Sequence, residues 1–395
     1  MPKLAERKYC TGCTACACAC PRDCVTMAAD ENGFRFPVVD PESCVSCGLC
    51  ERACPVATPR EMHGALPAAY AVYTKDEALR LDSSSGGVFS EIGKSILAED
   101  GAVFGAAYNE VFEVVHSCVE EETELARLRG AKYAQSSLCD TFSQVKQRLD
   151  RGQRVLFSGT PCQVAGLKAF LPKDYVNLIT VDFVCHSVPA PMAWREYVAF
   201  RAKLDNGGQL PERINLRSKD TGWSRYRYSN LFAYAHGQAH SIVSGESLYM
   251  KLFGGGYISR ESCENCRFKG YSRVSDLTLG DFWGIWDIHP DMDDDKGTSL
   301  VLVQSERGAA VLEGLREKLV IEPVTLEEAS RQNPAIVKAA KGQEKRREAL
   351  EKIRNGRLGD CEEWFVPAET PMTAGFLPRA RRLLGYVKRK ILSSE

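Results

Sequence analysis

The chain has 395 residues, 44% of them hydrophobic, a formal net charge of −1 and 17 cysteines. That balance gives no global electrostatic case for nucleic acid, and no run of eighteen or more apolar residues reads as a membrane span. Met1 to Lys8 lack a signal-peptide core and the cysteines crowd before residue 55, so reduced, metal-ligating thiols in a cytoplasmic protein are expected rather than a disulfide scaffold.

The first sixty residues carry an internal repeat. Cys10, Cys13, Cys16 and Cys20 precede Pro21, and Cys44, Cys47, Cys50 and Cys54 precede Pro55. Both runs read C-x2-C-x2-C-x3-C-P. Three thiolates at this spacing wrap one 4Fe-4S cluster on a tight loop, and the fourth turns toward the other cluster. The expected ligand sets are therefore Cys10, Cys13, Cys16 and Cys54 for one cluster, and Cys20, Cys44, Cys47 and Cys50 for the second. Each following proline fixes φ where the chain leaves its cluster. Between the runs, Val25 to Met27 and Phe34 to Val39 are expected as short strands around a Glu31-Asn32-Gly33 turn. A pair of zinc sites is the rival reading, but zinc knots use two CxxC pairs. Cys18 and Cys24 fall off the spacing and read as small packing residues.

A stretch with Pro55, Pro59 and Pro67 reads as a linker, and an α/β domain is expected from Ala69. There, Ser84-Ser85-Gly86-Gly87 precedes a helical pattern of Val88, Ile92, Ile96 and Leu97. Free N–H groups at such a helix start suit a phosphate, but this signal alone favours a plain serine N-cap. Ala102 to Tyr108 reads as a buried strand. Lys132 and Tyr133 then set a cation beside an aromatic, either for a flavin or in a surface turn. The strand Val155 to Ser158 runs into Gly159-Thr160-Pro161-Cys162-Gln163, with a helix expected from near Val164; α/β sheets place ligands at such loops. Another strand, Val181 to Val184, ends at Cys185-His186, and Cys263 and Cys266 lie far downstream. Those four loop thiols fit a third 4Fe-4S site, a structural zinc, or a nucleophilic Cys162 beside His186, and spacing does not choose among them.

Ser275 to Gly284 reads as a strand ending in an acidic, aromatic turn. Asp293, Asp294 and Asp295 lack calcium-loop spacing and read as solvated. Residues 331–357 read as a charged helix stopped at Asn355-Gly356. Phe376 to Leu392 reads as a basic amphipathic helix, suited to a membrane surface at the periphery, to an acidic partner, or to packing on its own domain.

Five segments occur in a fixed order: Ser84-Ser85-Gly86-Gly87, Gly159-Thr160-Pro161-Cys162-Gln163, Asp182-Phe183-Val184-Cys185-His186, Cys263-Glu264-Asn265-Cys266 and Gly280-Asp281-Phe282-Trp283-Gly284. In this the chain resembles the beta subunit of the coenzyme F420 (deazaflavin) hydrogenase/dehydrogenase family, over roughly residues 69–310. Serine follows His186 where the family pattern would have glycine. The resemblance implies FAD and a 4Fe-4S cluster in the core. Cys162, Cys185, Cys263 and Cys266 would then hold a third cluster. Ser84, Ser85, Gly86, Gly87, Lys132, Tyr133, Gly159, Thr160, Pro161 and Gln163 would line the flavin, with His186 and Asp281 nearest to any proton that moves.

The expected architecture is an α/β, mixed-sheet core at 69–325. In front stand a small α+β ferredoxin-like domain at 1–57 and a linker at 58–68; a helical tail at 326–395 follows. The expected function is that of an oxidoreductase. It would pass electrons between ferredoxin or another redox protein, the clusters, a flavin and a soluble acceptor such as the deazaflavin. A non-catalytic electron relay and a zinc-stabilised scaffold are the alternatives, and cofactor content separates all three.

Overall fold

The computed structural model describes residues 2–59, 65–224 and 227–365. Residues 1–358 form one compact unit, and residues 359–395 belong to a second. The basic segment from Phe376 lies outside the described residues. Among the described residues no helix is long and apolar enough to cross a membrane.

The cysteine-rich segment folds as two short helices, α1 (Ala15–Cys18) and α2 (Leu49–Arg52), beside an antiparallel hairpin of β1 (Val25–Ala29) and β2 (Arg35–Val39). Gly33, at φ +83°, takes a left-handed turn conformation that costs other residues energy.

Strands β3 (Ala68–Thr74), β4 (Ala102–Tyr108), β5 (Val114–Val119), β6 (Val155–Ser158) and β7 (Leu178–Phe183) come next. After them, β8 (Arg213–Ser218), β9 (Ser229–Ala233) and β10 (Ala239–Val243) make a separate three-stranded sheet. Finally β11 (Leu277–Asp281), β12 (Ser299–Val303) and β13 (Leu319–Val324) complete an eight-stranded sheet of order β13-β3-β12-β11-β7-β6-β4-β5. Its heart, β4-β6-β7-β11, is parallel, and its flanks are antiparallel. This is the mixed α/β core expected from the sequence.

Period-two side-chain alternation fixes both faces of this sheet. Val103, Leu156 and Ile179 point to one side, where they meet Val88, Ile92 and Ile96. Those three lie on α4 (Val88–Leu97), which follows the short α3 (Glu77–Asp82). Phe104, Val155, Phe157 and Leu178 point to the other side. There they meet Phe142 and Val145 of α5 (Thr141–Asp150), and Val164 and Leu167 of α6 (Pro161–Phe170). Cys13, Ala15 and Ala53 join this second cluster, so the cysteine-rich segment is packed directly on α5 and α6. Fully burying a side chain such as Phe157 contributes about 1.5–3 kcal/mol.

The helix α6 starts at Pro161, three residues before the expected Val164, because proline is well suited to the first helical position. A long α7 (Pro191–Asn206) and the short α8 (Leu248–Gly254) follow, joined by Trp194 edge-on to Tyr249 with ring centroids 5.3 Å apart. After α9 (Glu306–Gly314) and α10 (Leu326–Arg331), the expected helix over 331–357 is present only as α11 (Arg346–Arg354). Pro334 opens a single 3-10 turn instead, and the stop at Asn355-Gly356 lies where it was expected.

Candidate functional site

The eight repeat cysteines gather around two voids. One is lined by Cys10, Cys13, Cys16 and Cys54, with Met27 and Pro37. The other is lined by Cys20, Cys44, Cys47 and Cys50. In each set the fourth cysteine of one run sits with three of the other. A single metal ion would need ligands converging on one point, and among the described residues no three His, Cys, Asp or Glu side chains do so. Thiols around a void fit the larger 4Fe-4S group instead. Burial pushes the Cys13 thiol well above its ordinary value and Cys16 up to about 12. Cluster iron would supply the positive charge that such thiols need to ionise.

Cys24 packs beside a cluster site, as expected. It lines the second void as a fifth thiol, with its Sγ 3.2 Å from that of Cys20. It enters because the strand β1 starts at Val25, beside the loop that carries Cys20.

Cys162, Cys185, Cys263 and Cys266 come together although three separate stretches supply them. Cys185 lies within electrostatic reach of Cys263, Cys162 and Cys266. Cys162 in turn is within reach of Cys266 and of Cys13. Topology explains the meeting: Cys162 and Cys185 follow the carboxyl ends of the adjacent parallel strands β6 and β7, where sheets of this kind bind ligands. Burial raises Cys162 to about 11 and Cys263 to about 12. Cys162 is also the second residue of α6, where the positive helix end favours an anionic thiolate.

Asp281 ends β11, and its Oδ2 accepts from Arg217 Nη1 at 2.5 Å, in a pair exposed by only 18% and 3%. The Arg217 guanidinium lies over the rings of Tyr228 and Trp283, and Nη2 donates to the Ser84 carbonyl at 3.3 Å. Its Nε has no hydrogen-bond partner. Tyr133 Oη stands 3.5 Å from Arg217 Nη1, so Ser84, Tyr133 and Asp281 meet at one buried cation that the sequence reading missed. His186 is exposed, edge-on to Phe253 at 6.5 Å.

Other expected flavin residues are committed to the fold. A Cβ on Gly86 would stand 2.4 Å from the Val72 carbonyl oxygen, so this glycine lets the loop cross β3. Gly87 starts α4 at φ +86°, and Ser85 Oγ donates to the Thr298 carbonyl. Lys132 Nζ donates to the carbonyls of Arg127, Arg129 and Gly130 at 2.7–3.2 Å, and burial draws it down to about 7. Gln163 Oε1 accepts the Thr160 N–H at 2.8 Å and its Nε2 donates to Ser136, so both ends of that amide brace the Gly159–Pro161 loop.

The acidic loop is not simply solvated. Asp294 takes both Nη groups of the buried Arg80 at 2.7 Å, and Asp295 accepts the Trp223 N–H at 2.9 Å.

Residues 9–58 match the 4Fe-4S dicluster domain, and residues 152–329 match the C terminus of the coenzyme F420 hydrogenase/dehydrogenase beta subunit. Taken with the thiol-lined voids, these define an iron–sulfur electron-transfer protein. The chain is 29% identical over 352 residues to a subunit of the F420H2 dehydrogenase of Methanosarcina mazei, covering 81% of this chain and 87% of that one. It is 41% identical over 68 residues to ferredoxin Fdx8 of Sorangium cellulosum, covering 13% of this chain and 63% of the ferredoxin. A chain of the F420-reducing NiFe hydrogenase complex from Methanosarcina barkeri superposes with a TM-score of 0.46 at 12% identity, covering 76% of this chain and 91% of that one. The chain thus carries a segment like the C terminus of the coenzyme F420 hydrogenase/dehydrogenase beta subunit behind an N-terminal 4Fe-4S dicluster domain.

Proposed function

We propose that this chain is an iron–sulfur flavoprotein oxidoreductase. It moves electrons between a redox-protein partner and a soluble acceptor, using three 4Fe-4S centres and FAD. Coenzyme F420 is the first acceptor to test, because the relative in Methanosarcina mazei is a subunit of an F420H2 dehydrogenase. The observation that carries the reading is the meeting of Cys162, Cys185, Cys263 and Cys266, with Cys162 in turn within electrostatic reach of Cys13.

When bound, clusters supply single-electron transfer and a flavin exchanges one electron or two. The chain's residues hold and shield these groups. Twelve cysteines, four to a site, supply the thiolates, and α6 keeps one core thiol against the N-terminal module. The unpartnered Nε of Arg217, buried beside Tyr133 and Asp281, is the polar group that would meet a flavin.

A relay without flavin is the second reading. It draws on the full use of Gln163, Lys132 and Gly86 in the fold's own contacts. Iron, acid-labile sulfide and flavin per chain after anaerobic purification decide between the two. About twelve irons and one flavin are expected, and Cys185→Ala should lower the iron to about eight. Eight irons and no flavin in the unaltered protein would overturn the enzyme reading and leave the relay.

A further inference from the structure

Arg260 is 2% exposed, yet none of its hydrogen bonds reaches a carboxylate. Nε donates to the Cys10 carbonyl at 2.8 Å, Nη1 to Gln135 Oε1 at 2.9 Å and Nη2 to the Arg35 carbonyl at 3.0 Å. Gln135 Nε2 donates onward to the Thr11 carbonyl at 3.2 Å. The two side chains thus clamp the Cys10–Cys13 loop, and Gly12 is left no room: its Cβ would lie 2.8 Å from Gln135 Nε2 and 3.1 Å from Arg260 Nη1.

A clamp alone does not need a charge. Burying a guanidinium costs several kcal/mol unless an anion compensates it. Asp30, a carboxylate in electrostatic reach, is bound to Arg7 at 2.6 Å. The thiols of Cys10, Cys162 and Cys263 are in reach as well, and each acts on Arg260 more strongly than Asp30. One belongs to the first N-terminal site and two to the core site. A 4Fe-4S centre with four thiolate ligands is net negative, and more so when reduced. A fixed cation beside it therefore favours the reduced state and raises its potential. The hydrogen bonds of Arg260 go to Cys10, which lines the first void, and to Gln135 and Arg35, and none goes to a residue lining the second.

We propose that Arg260 is the shared positive charge between the Cys10/Cys13/Cys16/Cys54 site and the core cysteine site, raising the reduction potentials of both together and not that of the Cys20/Cys44/Cys47/Cys50 site. The core half of this proposal rests on the third cluster put forward above; the N-terminal half does not.

Anaerobic potentiometric titration of the full chain, followed by electron paramagnetic resonance, tests it. Variants Arg260→Gln, Arg260→Lys and Gln135→Ala are compared with the unaltered protein at matched iron content. Arg260→Gln should shift two cluster signals to lower potential and leave the third in place. Arg260→Lys, which keeps the charge and loses the planar fork, should restore most of that shift. Gln135→Ala, which loosens the loop but keeps the charge, should move neither midpoint appreciably. Unshifted midpoints in Arg260→Gln, or an equal shift in all three, would overturn the proposal and leave Arg260 a clamp. If Arg260→Gln cannot hold its iron, Arg260→Met, which fills similar space without the charge, decides: a downward shift confined to the same two signals supports the proposal, and no shift or a uniform one rejects it. If the unaltered protein holds only eight irons, the third-cluster reading has failed, and the N-terminal signal alone still tests Arg260.

Discussion

A Cβ placed on Gly166 would stand 2.9 Å from the Sγ of Cys13 and 3.0 Å from its Cβ. Gly166 follows Cys162 on α6 by about one helical turn, so one face of one helix meets both the N-terminal thiol and the core thiol. Glycine mid-helix costs about 1 kcal/mol relative to alanine, and the close approach explains why it stands there. Gly166→Ala should lower the melting temperature despite that propensity gain, since overpacking costs about 1–3 kcal/mol. It should also alter the resonance of one N-terminal cluster. Gly314→Ala, on α9 with nothing within 4 Å of its Cβ, is the control and should be neutral or stabilising. Equal melting of the two variants would show that Cys13 can move off α6.

The sequence reading reached the parts of the site that local spacing encodes. Eight thiols at fixed intervals gave their crossed pairing, because a three-plus-one run leaves each fourth cysteine only the other cluster. The strand Val155–Ser158 matched its observed bounds, since a short apolar run ending at glycine admits little else. What stayed hidden depends on tertiary neighbours. Arg217 stands 64 residues before Asp281, on the separate three-stranded sheet, and no periodicity links them. Arg260 was in plain view three residues before Cys263, but its meaning lies in Cys10, 250 residues away. The serine–glycine loop at 84–87 read first as a serine N-cap, whereas Gly87 caps α4 without a side chain and Gly86 serves the crossing at β3. The signal that could have found Arg260 is an arginine three residues before a candidate cluster cysteine.

Crossed ligation makes a specific demand on the N-terminal thiols. Cys54→Ala should abolish the same cluster signal as Cys10→Ala, and Cys20→Ala the same one as Cys44→Ala, because each pair lines one void. Paired electron paramagnetic resonance spectra of the four variants check this. Loss of matching signals by Cys54→Ala and Cys44→Ala would show that each run closes its own cluster. Cys24 adds a second demand: its thiol already touches Cys20 in the second void, so Cys24→Ala should keep all the iron and alter only that void's signal.

Arg217 and Asp281 form the least exposed ion pair on the candidate flavin wall. Removing one partner of such a pair leaves an uncompensated charge and costs about 3–5 kcal/mol, whereas replacing both by apolar groups costs far less. Arg217→Met and Asp281→Leu should each lower stability by an amount in that range, and the double variant should recover part of the loss. A thermal or urea double-mutant cycle reads the coupling, which should exceed about 1 kcal/mol. Simple additivity would mean that each group is supported by its other contacts, Arg217 by the rings of Tyr228 and Trp283 and by Ser84.

His116 sets a pH dependence with a definite sign. Its ring stacks on Phe157 at 5.4 Å, its Nε2 lies 3.0 Å from the Ser158 carbonyl, and its Nδ1 is buried without a partner. Burial, with the nearby Lys132 charge, outweighs the Ser158 bond and draws its pKa down to about 4 from an ordinary value of 6.5. Between those values the unfolded chain takes up a proton that the native ring refuses. The contribution to stability is therefore complete above about pH 6.5 and declines as pH falls toward 4, by about 1.4 kcal/mol per pH unit and so by at most about 3 kcal/mol. His116→Gln, which keeps an N–H for the Ser158 carbonyl and does not titrate, should remove this slope. Anaerobic urea unfolding at pH 7 and at pH 5 makes the comparison: the unaltered protein should lose about 2 kcal/mol more than the variant over that interval. Equal losses would mean that the native ring accepts the proton, and that its unpartnered Nδ1 reaches water.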